Sequence, residues 1–364
     1  MPRTENPRHI LVVCTRRIGD VLLATPAVRA LRQTWPHAAI DMLVFEGTQS
    51  VIAANADLRK VITIAERPSP GAQLFLLWRI WRRYDMAVSL LAGDRPTLYA
   101  WAAAKLRVGT LTLENKSRWK RRLLHRWVAF DDLDTHTVAM NLRIIEQLGV
   151  AGHSGPVVSW SEDEARAAAR LCPPLQAGRR FAVLHVSPKF AYKTWSAHGW
   201  GELARWLNER GMELLVAGGG SPEELRYVDS LMPHLPENTV NLAGRIGLGA
   251  LGYLLSRAAL YVGTDTAVTH MAAALGVPTV ALFGPSNPVK WGPWPASYDG
   301  DTSPWQMRGS ARVGNVFLVQ GEKDCVPCML EGCERHIDSL SECLQRLPAK
   351  RVIAAADALL ATPR

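Results

Sequence analysis

No run of about 18 apolar residues occurs in the 364-residue chain, so no helix is expected to span a bilayer. The opening stretch Met1-Pro-Arg-Thr-Glu-Asn-Pro-Arg8 lacks the apolar core of a secretory signal. The first hydrophobic run, Ile10–Cys14, has only the length of a strand. Secretion is therefore not expected, and the six cysteines are read as living in a reducing cytosol. Solenoid repeats and low-complexity tracts are missing too. After the first strand the chain reads Thr15-Arg-Arg-Ile-Gly-Asp20, which is not G-x-G-x-x-G, so the dinucleotide-binding fingerprint is excluded. What remains is a soluble globular composition, 48% hydrophobic and 21% charged, too long for one ordinary core.

Acidic residues are scarce in the first half. Residues 1–160 hold 22 Lys/Arg against 13 Asp/Glu, whereas residues 161–364 hold 20 of each. The whole net charge of +9 thus belongs to the first half. Such asymmetry points to an anionic partner there: a nucleic acid, a membrane surface or an acidic substrate. A basic but uninvolved surface would look the same.

Hydrophobic periodicity alternates between strand and helix. His9–Cys14, Ile40–Phe45, Val61–Ala65 and Met86–Leu91 read as strands, and Asp20–Gln33 and Thr137–Leu148 as helices. Gly152-His-Ser-Gly-Pro reads as a linker, followed by helical Glu162–Leu171 and a break at Pro173-Pro174. Alternation then restarts with strands Phe181–Val186, Glu213–Ala217, Leu260–Val262 and Thr279–Phe283. Helices Trp200–Arg210, Pro222–Leu231, Leu248–Ala258 and Ala267–Leu275 lie among them. The expectation is α/β, with two Rossmann-like parallel-sheet domains facing across a cleft. The first covers 1–160 and the second 175–345. The last segment, 346–364, is a helix with either domain open to it, including a return to the first.

Ligands of such sheets bind beyond the carboxyl ends of the strands, and the polar residues gather there. Asp20 stands where a helix N-cap would be; it also suits a general base taking a proton from an attacking hydroxyl. Gly263-Thr-Asp-Thr-Ala-Val-Thr-His270 joins a strand to a helix, so its backbone N–H groups and the positive helix end form a diphosphate cradle. Thr264, Thr266 and Thr269 offer hydroxyl donors, and Asp265 orients the loop or contacts a sugar hydroxyl. Ser187, after Phe181–Val186, offers a donor to phosphate. Lys193 offers charge to a departing diphosphate, or is an ordinary surface lysine. Glu223 and Glu224 follow Gly218–Gly220 and suit ribose hydroxyls, or simply the first turn of a helix.

Together, Arg17-Ile-Gly-Asp-Val-Leu-Leu-Ala-Thr-Pro-Ala27, Lys193-Thr-Trp195, Asn241-Leu-Ala-Gly244, Gly263–Gly276 and Ala281–Ser286 resemble glycosyltransferase family 9, the ADP-heptose:lipopolysaccharide heptosyltransferases of GT-B fold. The resemblance implies an inverting, metal-independent transfer of heptose from ADP-heptose to a lipopolysaccharide core, with no cofactor. It makes Asp20 and Lys193 catalytic, with Asp265, Thr266, Ala267, Val268 and His270 in the donor loop. Ala267 replaces a glycine common in the family. The chain would then be cytoplasmic, in peripheral contact with the inner membrane, without a nucleic-acid partner. Its acceptor would meet the basic first half through Arg17 and through Lys116, Arg118, Lys120, Arg121 and Arg122 of the run Lys116–Trp127. The apolar-aromatic helix Leu74–Arg83 has a basic end and also suits an anionic interface.

Cys325-x2-Cys328-x4-Cys333-x9-Cys343 is read first as a structural thiol cluster, since only its first pair has metal-knuckle spacing, with a metal site as the second reading. Close variants belong to heptosyltransferase II-like members. A nucleotide-sugar epimerase, a protein-modifying heptosyltransferase and a non-catalytic nucleic-acid-binding protein are the competing readings.

Overall fold

The computed structural model describes residues 6–114, 118–152 and 155–362. The described chain divides into two compact units: 6–157 with 299–302, and 158–298 with 303–362.

The first unit begins with β1 (His9–Cys14), α1 (Ile18–Leu23), α2 (Thr25–Thr34), β2 (Ala39–Phe45) and β3 (Lys60–Ile64). It continues with α3 (Pro70–Ile80), β4 (Tyr84–Ser89), α4 (Asp94–Ala103), β5 (Ala104–Leu111) and α5 (Arg118–Arg121). β6 (Arg126–Ala129) and α6 (Thr137–Glu146) close it. The six strands form one parallel sheet in the order β3-β2-β1-β4-β5-β6. The central strand carries an unbroken apolar run, Ile10-Leu-Val-Val-Cys14, all buried, as a parallel strand covered on both faces requires. Leu11, Val13, Leu43 and Ala87 form one core cluster with Leu76 and Ile80 of α3 and Tyr99 of α4.

The structure corrects the sequence in three places here. The helix expected over Asp20–Gln33 is two helices meeting at Ala24. The Thr25 hydroxyl there donates to Leu22 O at 2.6 Å and accepts from Val157 N at 2.8 Å. Asp20 is not the N-cap of α1. That position is Arg17, and Asp20 lies inside the first turn. Between Met86–Leu91 and Thr137, where the sequence named no strand, the structure has two, β5 and β6, and the basic run supplies an edge strand with Trp127 in it.

In the second unit α7 (Glu162–Arg170) and α8 (Pro173–Gln176) precede β7 (Phe181–His185), α9 (Ala197–Glu209) and β8 (Glu213–Ala217). α10 (Pro222–Leu231), β9 (Val240–Asn241), α11 (Leu248–Arg257), β10 (Leu260–Thr264), α12 (Ala267–Ala274) and β11 (Thr279–Phe283) follow. α13 (Pro288–Trp291), β12 (Ala311–Val313), β13 (Val316–Gln320), α14 (Glu342–Gln345) and α15 (Ala349–Leu360) complete it. The sheet order is β12-β13-β11-β10-β7-β8-β9, with β12 alone antiparallel. Both sheets therefore run outward in two directions from the first strand of their unit. The order reverses between β1 and β4 in one sheet, and between β7 and β10 in the other.

Val352, Ala355, Ala356 and Leu359 of α15 share a core cluster with Leu203 and Leu207 of α9. Burying a leucine or valine contributes about 2 kcal/mol. This apolar stripe packs α15 into the core of the second unit.

Candidate active site

The topological switch point of the second sheet lies between β7 and β10, which is where a doubly wound sheet receives its ligand. The residues after these two strands are Ser187, Lys193 and the Thr264–His270 loop. Lys193 ends a short 3-10 turn, Ala191–Lys193. Gln345 Nε2 fixes the next residue by donating to Thr194 O at 2.9 Å, and Trp195 Nε1 donates to Leu347 O at 2.9 Å. Lys193 Nζ then reaches Asp265 Oδ2 at 2.5 Å. The pair is largely enclosed, with side chains 19% and 10% exposed. Burial favours the neutral acid at Asp265, but Lys193, His270 and a hydrogen bond from Ser286 outweigh it and hold the carboxyl below its ordinary range. Ser286 is a partner that the sequence offered only as the end of a matching segment.

Glycine at 263 is required by packing. A Cβ there would lie 2.1 Å from the Tyr261 hydroxyl oxygen. That hydroxyl is hydrogen-bonded to Thr269 Oγ1 at 2.9 Å, and Thr269 Oγ1 also donates to Thr264 O. Thr269 is thus committed to tying the loop to its strand, which corrects its reading as a ligand donor. The hydroxyls of Thr264 and Ser187 and Nδ1 of His270 are buried without a hydrogen-bond partner. Burial holds the His270 imidazole neutral, with its pKa lowered to about 4; Asp265 opposes this and Lys193 reinforces it. Thr266 is the N-cap of α12, so the N–H groups of Ala267 and Val268 lie in the first turn, where a helix has no internal acceptors. The switch point therefore offers an ammonium, a helix N-terminus and unpaired hydroxyls, a set suited to a diphosphate.

Glu223 and Glu224 lie in the first turn of α10. Glu224 completes a capping box with Ser221, and a Cβ at Gly219 would meet its carboxylate at 2.3 Å. Glu223 is exposed and pairs with Arg226 at 3.3 Å. Backbone hydrogen bonding holds its carboxyl below the usual range.

In the first unit, Asp20 follows the strand beside the other switch point. It is 9% exposed, and Arg16 Nε lies 3.5 Å from its Oδ1. Burial, and next the Asp20 carboxylate, push up the thiol of Cys14 at the strand end. Arg17 is exposed at the N-cap. Lys116 lies outside the described residues. Arg118, Arg121 and Arg122 are exposed, and Arg121 packs over Trp127 at 5.0 Å. Lys120 corrects its sequence reading. It is 5% exposed and binds Ala92 O and Asp94 Oδ1, each at 2.9 Å, so it braces the β4–α4 loop rather than facing solvent.

Among the described residues no grouping of three or more His, Cys, Asp or Glu has the arrangement of a metal site. The thiols Cys325, Cys328, Cys333 and Cys343 are free. Burial pushes Cys343 up to about 11, followed by the charges of Cys328, Cys333 and Cys325, so the four share one neighbourhood.

Two Rossmann-like units, each with polar residues at its switch point, make up a GT-B fold. The chain belongs to glycosyltransferase family 9 (heptosyltransferase), whose family model matches residues 82–307. Among its relatives is lipopolysaccharide heptosyltransferase 3 of Escherichia coli K12, 27% identical over 76% of this chain and 82% of that one. Lipopolysaccharide heptosyltransferase 1 of Pseudomonas aeruginosa is 26% identical over 98% of this chain and 99% of that one. Among solved structures, a glycosyl transferase family 9 protein from Veillonella parvula superposes with a TM-score of 0.77 at 21% identity, over 98% of each chain. E. coli heptosyltransferase WaaC with ADP gives 0.70 at 18% identity, over 96% and 99%. The protein is an enzyme, and the non-catalytic reading falls.

Proposed function

We propose that the chain transfers heptose from ADP-heptose to a lipopolysaccharide core acceptor, with inversion and without a metal. The observation that carries this reading is the Lys193–Asp265 pair at the switch point of the second sheet, beside the start of α12. The naming of the relatives for lipopolysaccharide heptose transfer, and of one fold neighbour for its bound ADP, supports the choice of substrates.

In this reading the unit 158–298 with 303–362 holds the donor and residues 6–157 receive the acceptor. Asp20 takes the proton as the acceptor oxygen bonds to the anomeric carbon. The bond from that carbon to the diphosphate breaks with its electron pair, and ADP leaves. Lys193, oriented by Asp265, the first-turn amides of Ala267 and Val268, and the hydroxyls of Ser187, Thr264 and Thr266 stabilise the leaving diphosphate by donating hydrogen bonds to it, the work otherwise done by a divalent cation. His270, held neutral, offers a donor or acceptor without adding charge. Gly263 lets the loop lie close to its strand. The carboxylates of Glu223 and Glu224 are reserved for ribose hydroxyls once ligand displaces their present contacts. Arg17, Arg118, Arg121 and Arg122, with Lys116 outside the described residues, meet phosphates and carboxylates of the acceptor, and the enzyme works at the cytoplasmic face of the inner membrane.

The test is turnover of ADP-heptose with truncated lipopolysaccharide core, comparing wild type and Asp20→Ala. The variant is expected to bind donor normally and to lose roughly 10²–10⁴-fold in kcat. Retained turnover would remove Asp20 as base. Transfer to protein alone would favour the protein-modifying alternative.

A further inference from the structure

The first unit carries a surface with no part in the chemistry above. α3 is apolar on two sides. Leu76 and Ile80 enter the core, 4% and 1% exposed. On the other side Leu74, Phe75 and Trp78 are 67%, 59% and 67% exposed, and Trp81 just past the helix is 48% exposed. Positions 74, 78 and 81 repeat at i, i+4 and i+7, so they form one stripe. The Phe75 and Trp78 rings lie 5.9 Å apart, and Trp81 meets Trp101 edge-on at 5.4 Å. An exposed stripe of large apolar groups at this spacing marks an interaction surface.

Its surroundings are predominantly basic. From Arg67 to Tyr84 there is no acidic residue, while Arg67, Arg79, Arg82 and Arg83 are present. Arg82 packs over Trp81 and Trp101 at 5.4 and 5.9 Å, and Arg83 over Trp78 at 6.0 Å. A cavity of about 390 Å³ adjoins the end of α3, with Arg59, Lys60, Arg79 and Arg83 in its wall beside Asp41 and Tyr84. Arg59 and Tyr84 already bind the Asp41 carboxylate, so the cavity keeps a positive excess.

We propose that this side of α3 docks on an anionic phospholipid bilayer. Leu74, Phe75, Trp78 and Trp81 enter the boundary between headgroups and acyl chains. The arginines meet lipid phosphates, and the cavity receives a headgroup. A second copy of the chain is a poorer occupant, because a two-fold contact would set the arginines against their own kind. The proposal goes beyond the transfer reaction and does not depend on it.

The experiment is co-sedimentation of the full chain with vesicles of phosphatidylcholine alone, or of phosphatidylcholine with phosphatidylglycerol. Wild type is expected on the anionic vesicles, with weaker binding at high salt and to neutral vesicles. The variant Leu74→Ser/Phe75→Ser/Trp78→Ser is expected to lose roughly a hundredfold in partition. Arg79→Gln/Arg83→Gln is expected to lose roughly tenfold or more. Quenching of wild-type tryptophan fluorescence by brominated acyl chains reads insertion independently of any folding defect in the variants. Transfer to a soluble acceptor fragment should be unchanged in both, which separates failure of docking from failure of the catalytic reading. Absence of wild-type binding or quenching would overturn the proposal. So would undiminished binding by a folded triple variant, or a solution dimer that this variant dissolves.

Discussion

Lys193 and Asp265 depend on each other because both are largely out of water. Removing the ammonium by Lys193→Ala leaves a carboxylate that is 10% exposed without its cation. Such a loss costs about 3 kcal/mol of stability. Transfer should fall roughly 10²–10³-fold, with Lys193→Arg retaining more of both; denaturant midpoints and initial rates read the two effects. The Asp265 carboxyl is held below its ordinary value, so its contribution is present above the unfolded pKa and is lost as pH falls through the folded one. The histidines titrate in a higher window. Burial lowers both His185 and His270 to about 4, from an unfolded value of 6.5. Between these values the unfolded chain takes up the proton and the folded chain does not. Stability is therefore full above about pH 6.5 and falls toward pH 4 by about 1.4 kcal/mol per pH unit for each histidine. Urea unfolding between pH 7 and 5 should show this slope, and His270→Gln should roughly halve it. An unchanged slope would mean that His270 is not buried neutral.

The strand–loop–helix element at residues 260–274 is held by close packing as well as by charge. Gly263→Ala would place a methyl group 2.1 Å from the Tyr261 hydroxyl oxygen and 2.6 Å from its Cζ. Overpacking of this kind costs about 1–3 kcal/mol, and the loop must shift to relieve it. The expected outcome is a lower melting temperature together with weaker ADP binding by calorimetry. Tyr261→Phe should not rescue it, because the ring carbon remains. The sequence showed this element well: an apolar run, a glycine and a threonine-rich turn have local signatures. It showed β1 equally, but it merged α1 with α2 and missed the exact place of Asp20, since first-turn and cap positions differ by a few residues of backbone. Contacts between distant residues were not legible. Lys193 and Asp265 are 72 positions apart, and nothing local says that they pair. Lys120 lies in a run that reads as a solvated basic face. Only the fold brings Asp94 and Ala92 O to it and takes it out of water. β6 was hidden for a related reason, since an edge strand of four residues has too short a pattern to show its period.

Over the whole molecule, the charge asymmetry divides into structural and outward parts. Arg29 binds Asp57 at 2.5 Å, Arg59 binds Asp41, and Arg32 donates to the Pro36, Ala38 and Asp57 carbonyls. These cations stabilise turns of the first unit. Arg67 and Arg83 beside α3, and Arg118, Arg121 and Arg122, face outward and answer to partners, whereas Arg79 is half-buried and Arg82 also donates to Ala104 O at 2.9 Å. Residues 161–364, with their equal numbers of acids and bases, carry no such excess, and the second unit instead concentrates polar groups at one switch point. The nucleotide should therefore act on one unit before the other. ADP at a hundredfold its Kd stabilises whatever it binds by about 2.7 kcal/mol. Hydrogen exchange with and without ADP should show slowing in residues 187–193 and 264–275, where the ligand would order the loop and the first turn of α12. The amides of β1 and α1, including Asp20, should keep their rates, because the base has work only when an acceptor arrives. Protection centred on residues 15–20 would put the nucleotide on the first unit, and the division of labour between the two units would have to be reversed.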